Sequence, residues 1–131
     1  MLVKDIMVRG VVTISPRATV REAMRLMKSK GVKSLAVEKQ HPHDAFGIVT
    51  YNNILQTIVA EEGDIDLLNV YDIYAKPALT ISRELEIKHA ARMMVDFDIR
   101  RILVTADNEL IGILTMNDIV GALTDIADNI G

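Results

Sequence analysis

Gly47-Ile48-Val49-Thr50-Tyr51-Asn52-Asn53 and Gly112-Ile113-Leu114-Thr115-Met116-Asn117-Asp118 decide how this chain is read. Each heptad opens on a glycine and runs through apolar, strand-like residues to a threonine. Each then passes into a helical pattern. The glycine, the threonine and the first asparagine coincide at a spacing of 65 residues. Such self-similarity at a fixed period marks an internal repeat, and two copies of one unit set the fold class before any single motif is weighed.

Working outward, a shift of 67 residues lays Val3–Val37 on Val70–Val104 without a gap. Identical pairs include Val3/Val70, Asp5/Asp72, Ile6/Ile73, Thr13/Thr80, Ile14/Ile81, Ala23/Ala90, Met27/Met94 and Val37/Val104. The register changes to 65 because the loop after Val37 is two residues longer than its counterpart. The expected division is residues 1–62 for copy one and 63–131 for copy two, with Gly63-Asp64 at the joint. Each copy reads as β-α-β-β-α, an α/β (α+β) unit. The strands are Val11–Ile14, Ser34–Val37 and Gly47–Thr50 in copy one. In copy two they are Leu79–Ile81, Arg101–Thr105 and Ile111–Leu114. The first helix opens at Thr19-Val20-Arg21-Glu22, a capping-box pattern, and Gly31 suits the left-handed residue that ends it. Val20, Ala23, Met24 and Met27 form its apolar stripe, which Ile87, Ala90, Ala91 and Met94 repeat. Closing helices are expected near Asn53–Ala60 and Asp118–Ala127. A sheet this small leaves an apolar edge for a partner copy to cover, so the two units are expected to pack about a pseudo-twofold axis with two related grooves.

Composition narrows the function. The 131 residues contain no cysteine, which excludes disulfides and thiolate metal sites. The net charge of −3, with no tryptophan, argues against nucleic acid, which needs clustered cations and stacking platforms. Apolar runs such as Ile111–Leu114 fall far short of a membrane span, and the N-terminus lacks a signal-peptide core. A soluble, cytoplasmic protein is expected. No nucleophile elbow, Walker lysine loop or zinc-protease pair is present, so no catalytic activity is expected.

The two heptads resemble the G-h-h-T/S-x-x-D/N element of cystathionine-β-synthase (CBS) domains, h being apolar. The Val-x-Asp-Ile leaders and the tandem order are also similar to that family, in the arrangement called a Bateman module. The resemblance covers about residues 1–127. It implies a regulatory module that binds an adenosine compound (AMP, ADP, ATP or S-adenosylmethionine) in clefts between the repeats. No catalytic cofactor and no metal are implied. In cleft one, Asp118 would take the ribose hydroxyls, because a carboxylate accepts from two vicinal donors. Thr115 and Asn117 would serve as neighbouring sugar and phosphate contacts, aided by helix-terminal amides. Thr13, Ile14, Ala18, Lys33 and Ser34 would form the adenine wall.

Cleft two is the pseudo-symmetric mate: Thr80, Ile81, Leu85, Arg100, Arg101, Thr50, Asn52 and Asn53. Asn53 replaces the carboxylate, at a cost of about 1–2 kcal/mol in affinity. Leu85 crowds the place of Ala18. Arg100 and Arg101 offer guanidinium forks to phosphate. Cleft one is therefore expected to be the better site.

Plainer readings stand beside these. Thr115 with Asp118 is also a helix-capping pair that needs no ligand. His41-Pro42-His43-Asp44 suggests a metal, but lacks further ligands and suits a surface turn. His89 reads as a rim or surface residue, and Met24, Met27, Met93 and Met94 as packing. The apolar residues Ile54, Leu55, Ile58, Val59, Ile119, Val120, Leu123 and Ile126 point to a homodimer through the C-terminal helices of each repeat. They support the alternative of a structural dimerisation module. A partner enzyme or transporter would read the ligand-bound state. A nucleic-acid adaptor is the third alternative.

Overall fold

The computed structural model describes residues 1–130. Short helix α1 (Val3–Ile6) precedes strand β1 (Thr13–Ile14), helix α2 (Val20–Lys30), and strands β2 (Ser34–Val37) and β3 (Gly47–Thr50). Helix α3 (Tyr51–Leu55) continues as a π-helical segment, Gln56–Ala60, and a 3-10 turn follows at Val70–Asp72. The second series is β4 (Thr80–Ser82), α4 (Ile87–Asp96), β5 (Arg101–Ala106), β6 (Glu109–Thr115) and α5 (Met116–Ile130). The mixed α/β class and the β-α-β-β-α order match the sequence reading.

Each sheet has three strands in chain order, the first pair parallel and the second antiparallel. The registers repeat: Thr13 lies opposite Ala36 as Thr80 does opposite Leu103, and Val37 opposite Gly47 as Val104 does opposite Gly112. β5 and β6 are longer than β2 and β3. They turn through Asp107 and Asn108, both left-handed, as a tight two-residue hairpin requires. The nine residues 38–46 make the same connection in the first sheet.

Packing divides the chain differently from the duplication. One compact unit is Met1–Val11 with Leu79–Gly131; the other is Val12–Ala78. Val3, in the first leader, is fully buried with Ile87, Met94, Ile102 and Leu114. Val70, in the second, is fully buried with Ile14, Val20, Leu35 and Val49. The shared Val-x-Asp-Ile pattern has a local explanation. The valine fills a core, and the aspartate accepts the amide three residues back: Leu2 N–H to Asp5 at 2.7 Å, Asn69 N–H to Asp72 at 2.8 Å. Backbone bonds fasten each leader to its unit, Val3 N–H to Leu85 O and Val70 N–H to Ala18 O, both 2.8 Å.

The leaders also explain the glycine that opens each heptad. Val8 bridges Ile113, and Ala75 bridges Ile48. A Cβ on Gly47 would lie 2.9 Å from Cε2 of Tyr74 and closer still to its Cδ2; one on Gly112 would lie 2.9 Å from the Met7 sulfur. Glycine is needed here for close approach rather than for an unusual backbone angle.

Several local expectations are refined. The Thr19 hydroxyl accepts the Glu22 amide at 3.1 Å, but the Glu22 side chain makes no reciprocal bond, so the capping box is only half formed. Gly31 ends α2 with φ +65° as expected. Met24 is exposed on the flank of the α2 stripe and Met93 is half-buried, whereas Met27 and Met94 are core residues. The closing helices start at Tyr51 and Met116, two residues before the expected Asn53 and Asp118, because Thr50 and Thr115 are the capping residues. α5 runs to Ile130, beyond the expected Ala127.

Candidate functional site

Both heptads close with the same reciprocal cap. In the unit holding α5, Asp118 N–H donates to Thr115 Oγ1 at 3.2 Å, and Thr115 N–H donates to Asp118 Oδ2 at 3.0 Å. In the other, Asn53 N–H donates to Thr50 Oγ1 at 3.3 Å, and the Thr50 amide and hydroxyl donate to Asn53 Oδ1 at 2.9 and 3.0 Å. An oxygen at the third helical position satisfies the amide before the helix, so either residue type builds the turn. The carboxylate has more to give. Its cap bond uses one of about four acceptor sites, and the others suit ligand hydroxyls. Asp118 is half-buried and Asn117 exposed, on the first turn of a 15-residue helix whose amides favour an anion.

Ladder register places more of the expected residues together. Arg101 lies opposite Thr115, and Met116 N–H donates to Arg100 O at 2.9 Å. This unit therefore sets both arginines beside the start of α5. Thr80, Ile81 and Leu85 belong to the same unit, with Ile81 nearly buried in its core and Leu85 packed against it. In the other unit Ser34 lies opposite Thr50, so Ser34 and exposed Lys33 sit beside the cap formed by Thr50 and Asn53. Thr13, Ile14, Ala18 and Asn52 are in that unit as well. Ile14 is a core residue with only an edge exposed, and the backbone of Ala18 is occupied by Ser15 and Val70. Each unit thus holds residues expected in both clefts.

One residue escapes the sequence reading, and a second finds a partner that the sequence did not show. Glu38 accepts from the Thr13 hydroxyl at 3.4 Å, and the sole sequence signal is a lone acid just after β2. Asp44, in the loop with two histidines, is held by Lys76 Nζ at 2.7 Å and by the amides of Gln40 and Ala45. The hydrogen bond from Lys76, then that from Gln40, holds its carboxyl well below the usual carboxylate range. That carboxylate ties the loop to the segment after the 3-10 turn, and His41, His43 and His89 are exposed. Among the described residues no three His, Cys, Asp or Glu side chains cluster for a metal. No helix there is long and apolar enough to cross a membrane.

Residues 3–60 and 70–125 both match the CBS domain, and the chain belongs to that family as a tandem pair. An uncharacterized Methanopyrus kandleri protein is 35% identical over 115 residues, which are 86% of this chain and 57% of that protein. An inosine-5'-monophosphate dehydrogenase of Korarchaeum cryptofilum is 32% identical over 117 residues, which are 88% of this chain but 23% of the enzyme. The chain thus spans 57% and 23% of the length of these two relatives. Among solved structures, a hexameric CBS-CP12 protein from bloom-forming cyanobacteria superposes with a TM-score of 0.87 and 38% identity, covering 92% of this chain and 69% of that one. The CBS domain pair of protein MJ0100, in complex with 5-methylthioadenosine and S-adenosyl-L-methionine, gives 0.82 at 22% identity, covering 94% and 99%.

Proposed function

We propose that this chain is a non-catalytic regulatory module that binds an adenosine-containing ligand: AMP, ADP, ATP or S-adenosylmethionine. The observation that carries the reading is the half-buried Asp118 carboxylate on the first turn of α5, with acceptor sites beyond its cap bond. The adenosine compounds bound by the MJ0100 pair support the ligand class. Cleft one uses Thr13, Ile14, Ala18, Lys33, Ser34, Thr115, Asn117 and Asp118. Cleft two uses Thr80, Ile81, Leu85, Arg100, Arg101, Thr50, Asn52 and Asn53, and is weaker because an amide replaces the carboxylate. The bound state, working in the cytoplasm, is read by a partner enzyme or transporter, since a ligand shifts an equilibrium by its differential affinity for two states. A thermal-shift panel tests this. Ligand at 100 times its dissociation constant stabilises by about 2.7 kcal/mol, and Asp118→Ala abolishes the shift. A panel without any shift, or a shift indifferent to Asp118→Ala, refutes the site.

A second reading is favoured by one observation. Leu55, Val59, Val120, Leu123 and Ile126 are exposed large apolar residues on the closing helices. A homodimer through these helices covers them, and a purely structural module forms that dimer whatever the ligand. Light scattering with and without nucleotide separates the two readings.

A further inference from the structure

The helix ends α2 and α4 occupy equivalent places in the duplication and carry opposite chemistry. At the 67-residue offset, Lys28-Ser29-Lys30-Gly31 corresponds to Val95-Asp96-Phe97-Asp98, and Lys33 to Arg100. The α2 end is locally consistent: lysines suit the negative end of the helix dipole, and Gly31 takes φ +65° freely. The α4 end runs against the same rules. Asp96 sits in the last turn and Asp98 just beyond it, where the dipole disfavours carboxylates. Asp98 also takes φ +52°, a conformation that disfavours side chains. Between them Phe97, one of only two phenylalanines, is 63% exposed, and Val95 is 74% exposed. Lys28, Lys30, Lys33, Asp96 and Asp98 make no ion pair among the described residues. One chain therefore holds an unpaired cationic helix end and an unpaired, acid-flanked apolar one.

We propose that a second copy of this chain covers the α4 end, with Lys28 and Lys30 of one copy set against Asp96 and Asp98 of the other. The lysine stems lie along Phe97 and Val95, and an ammonium group faces the ring. This assigns an orientation to the two-copy reading above, on which it rests: the unit Val12–Ala78 of one copy meets the unit containing α4 of the other. Contact between like units would bring lysine against lysine and aspartate against aspartate, which like-charge repulsion opposes.

The test mixes isotopically light and heavy protein at the dimer concentration and joins amines to carboxylates with a zero-length carbodiimide. Mixed-isotope peptides linking residues 28 or 30 to 96 or 98 are expected. In sedimentation equilibrium, Lys28→Glu with Lys30→Glu weakens association about tenfold or more, as does Asp96→Lys with Asp98→Lys. The four changes together restore it, which also guards against loss by misfolding. A dimer that ignores all of these changes and yields no such cross-link overturns the proposal while leaving the two-copy reading intact. A chain monomeric at every concentration overturns both.

Discussion

Val70→Ala tests the finding that core membership ignores the boundary of the duplication. Val70 lies in the second half of the sequence, yet it is 0% exposed and packs with Ile14, Val20, Leu35 and Val49. The substitution removes two methyl groups, worth about 0.8 kcal/mol each by transfer. A residual cavity of roughly 50 Å³ adds about 1 kcal/mol. The backbone bonds of Val70 with Ala18 and Ile73 remain, so the expected loss is about 2–3 kcal/mol. It should fall on one unit. Native-state hydrogen exchange is the assay, because it reports opening segment by segment. Protection of Leu35, Ala36 and Val49 should drop roughly 30- to 150-fold, while that of Ile102, Val104 and Leu114 holds. Val3→Ala should do the reverse, since Val3 is equally buried in the other core. Equal losses in both sheets for either variant, or a drop under about fivefold, would refute the reasoning.

Gly47→Ala should cost about 1–3 kcal/mol through overpacking against the Tyr74 ring, read by urea denaturation. Gly112→Ala should cost less, since its nearest neighbour is the flexible Met7 side chain; the opposite order would contradict the close-approach argument. Asn53→Asp puts a carboxylate at the position matching Asp118 and should raise cleft-two affinity about tenfold. Calorimetry would then show a second equivalent of nucleotide, and an unchanged isotherm counts against the asymmetry. Lys76, foremost, holds the Asp44 carboxyl below the usual range, so the charged form is favoured in the fold. The stability this supplies is present above the ordinary carboxylate pKa of about 3.9 and is lost as pH falls below it. Asp44→Asn should therefore flatten the acid limb of a plot of Tm against pH; a limb parallel to the wild type's would exclude the pair as its source.

The repeat, the β-α-β-β-α order and both heptads were legible in the sequence because they are local. A hydrophobic period, a threonine cap and a helix-ending glycine each act over a few residues. The Thr115/Asp118 and Thr50/Asn53 turns were readable for the same reason, and so was the asymmetry between carboxylate and amide. What the sequence could not show depends on segments far apart in the chain. Identical Val-x-Asp-Ile leaders said that the segment repeats, but not that Val3 joins the core of β5 and β6 while Val70 joins that of β2 and β3. Gly47 and Gly112 looked like motif residues. Their necessity comes from Tyr74 and Met7, brought beside them by the leaders. Asp44 read as part of a surface turn, and only the fold brought it the partner it holds, Lys76, more than thirty residues away. Local propensity specifies elements and caps, whereas burial and close approach are settled only when distant chain segments meet.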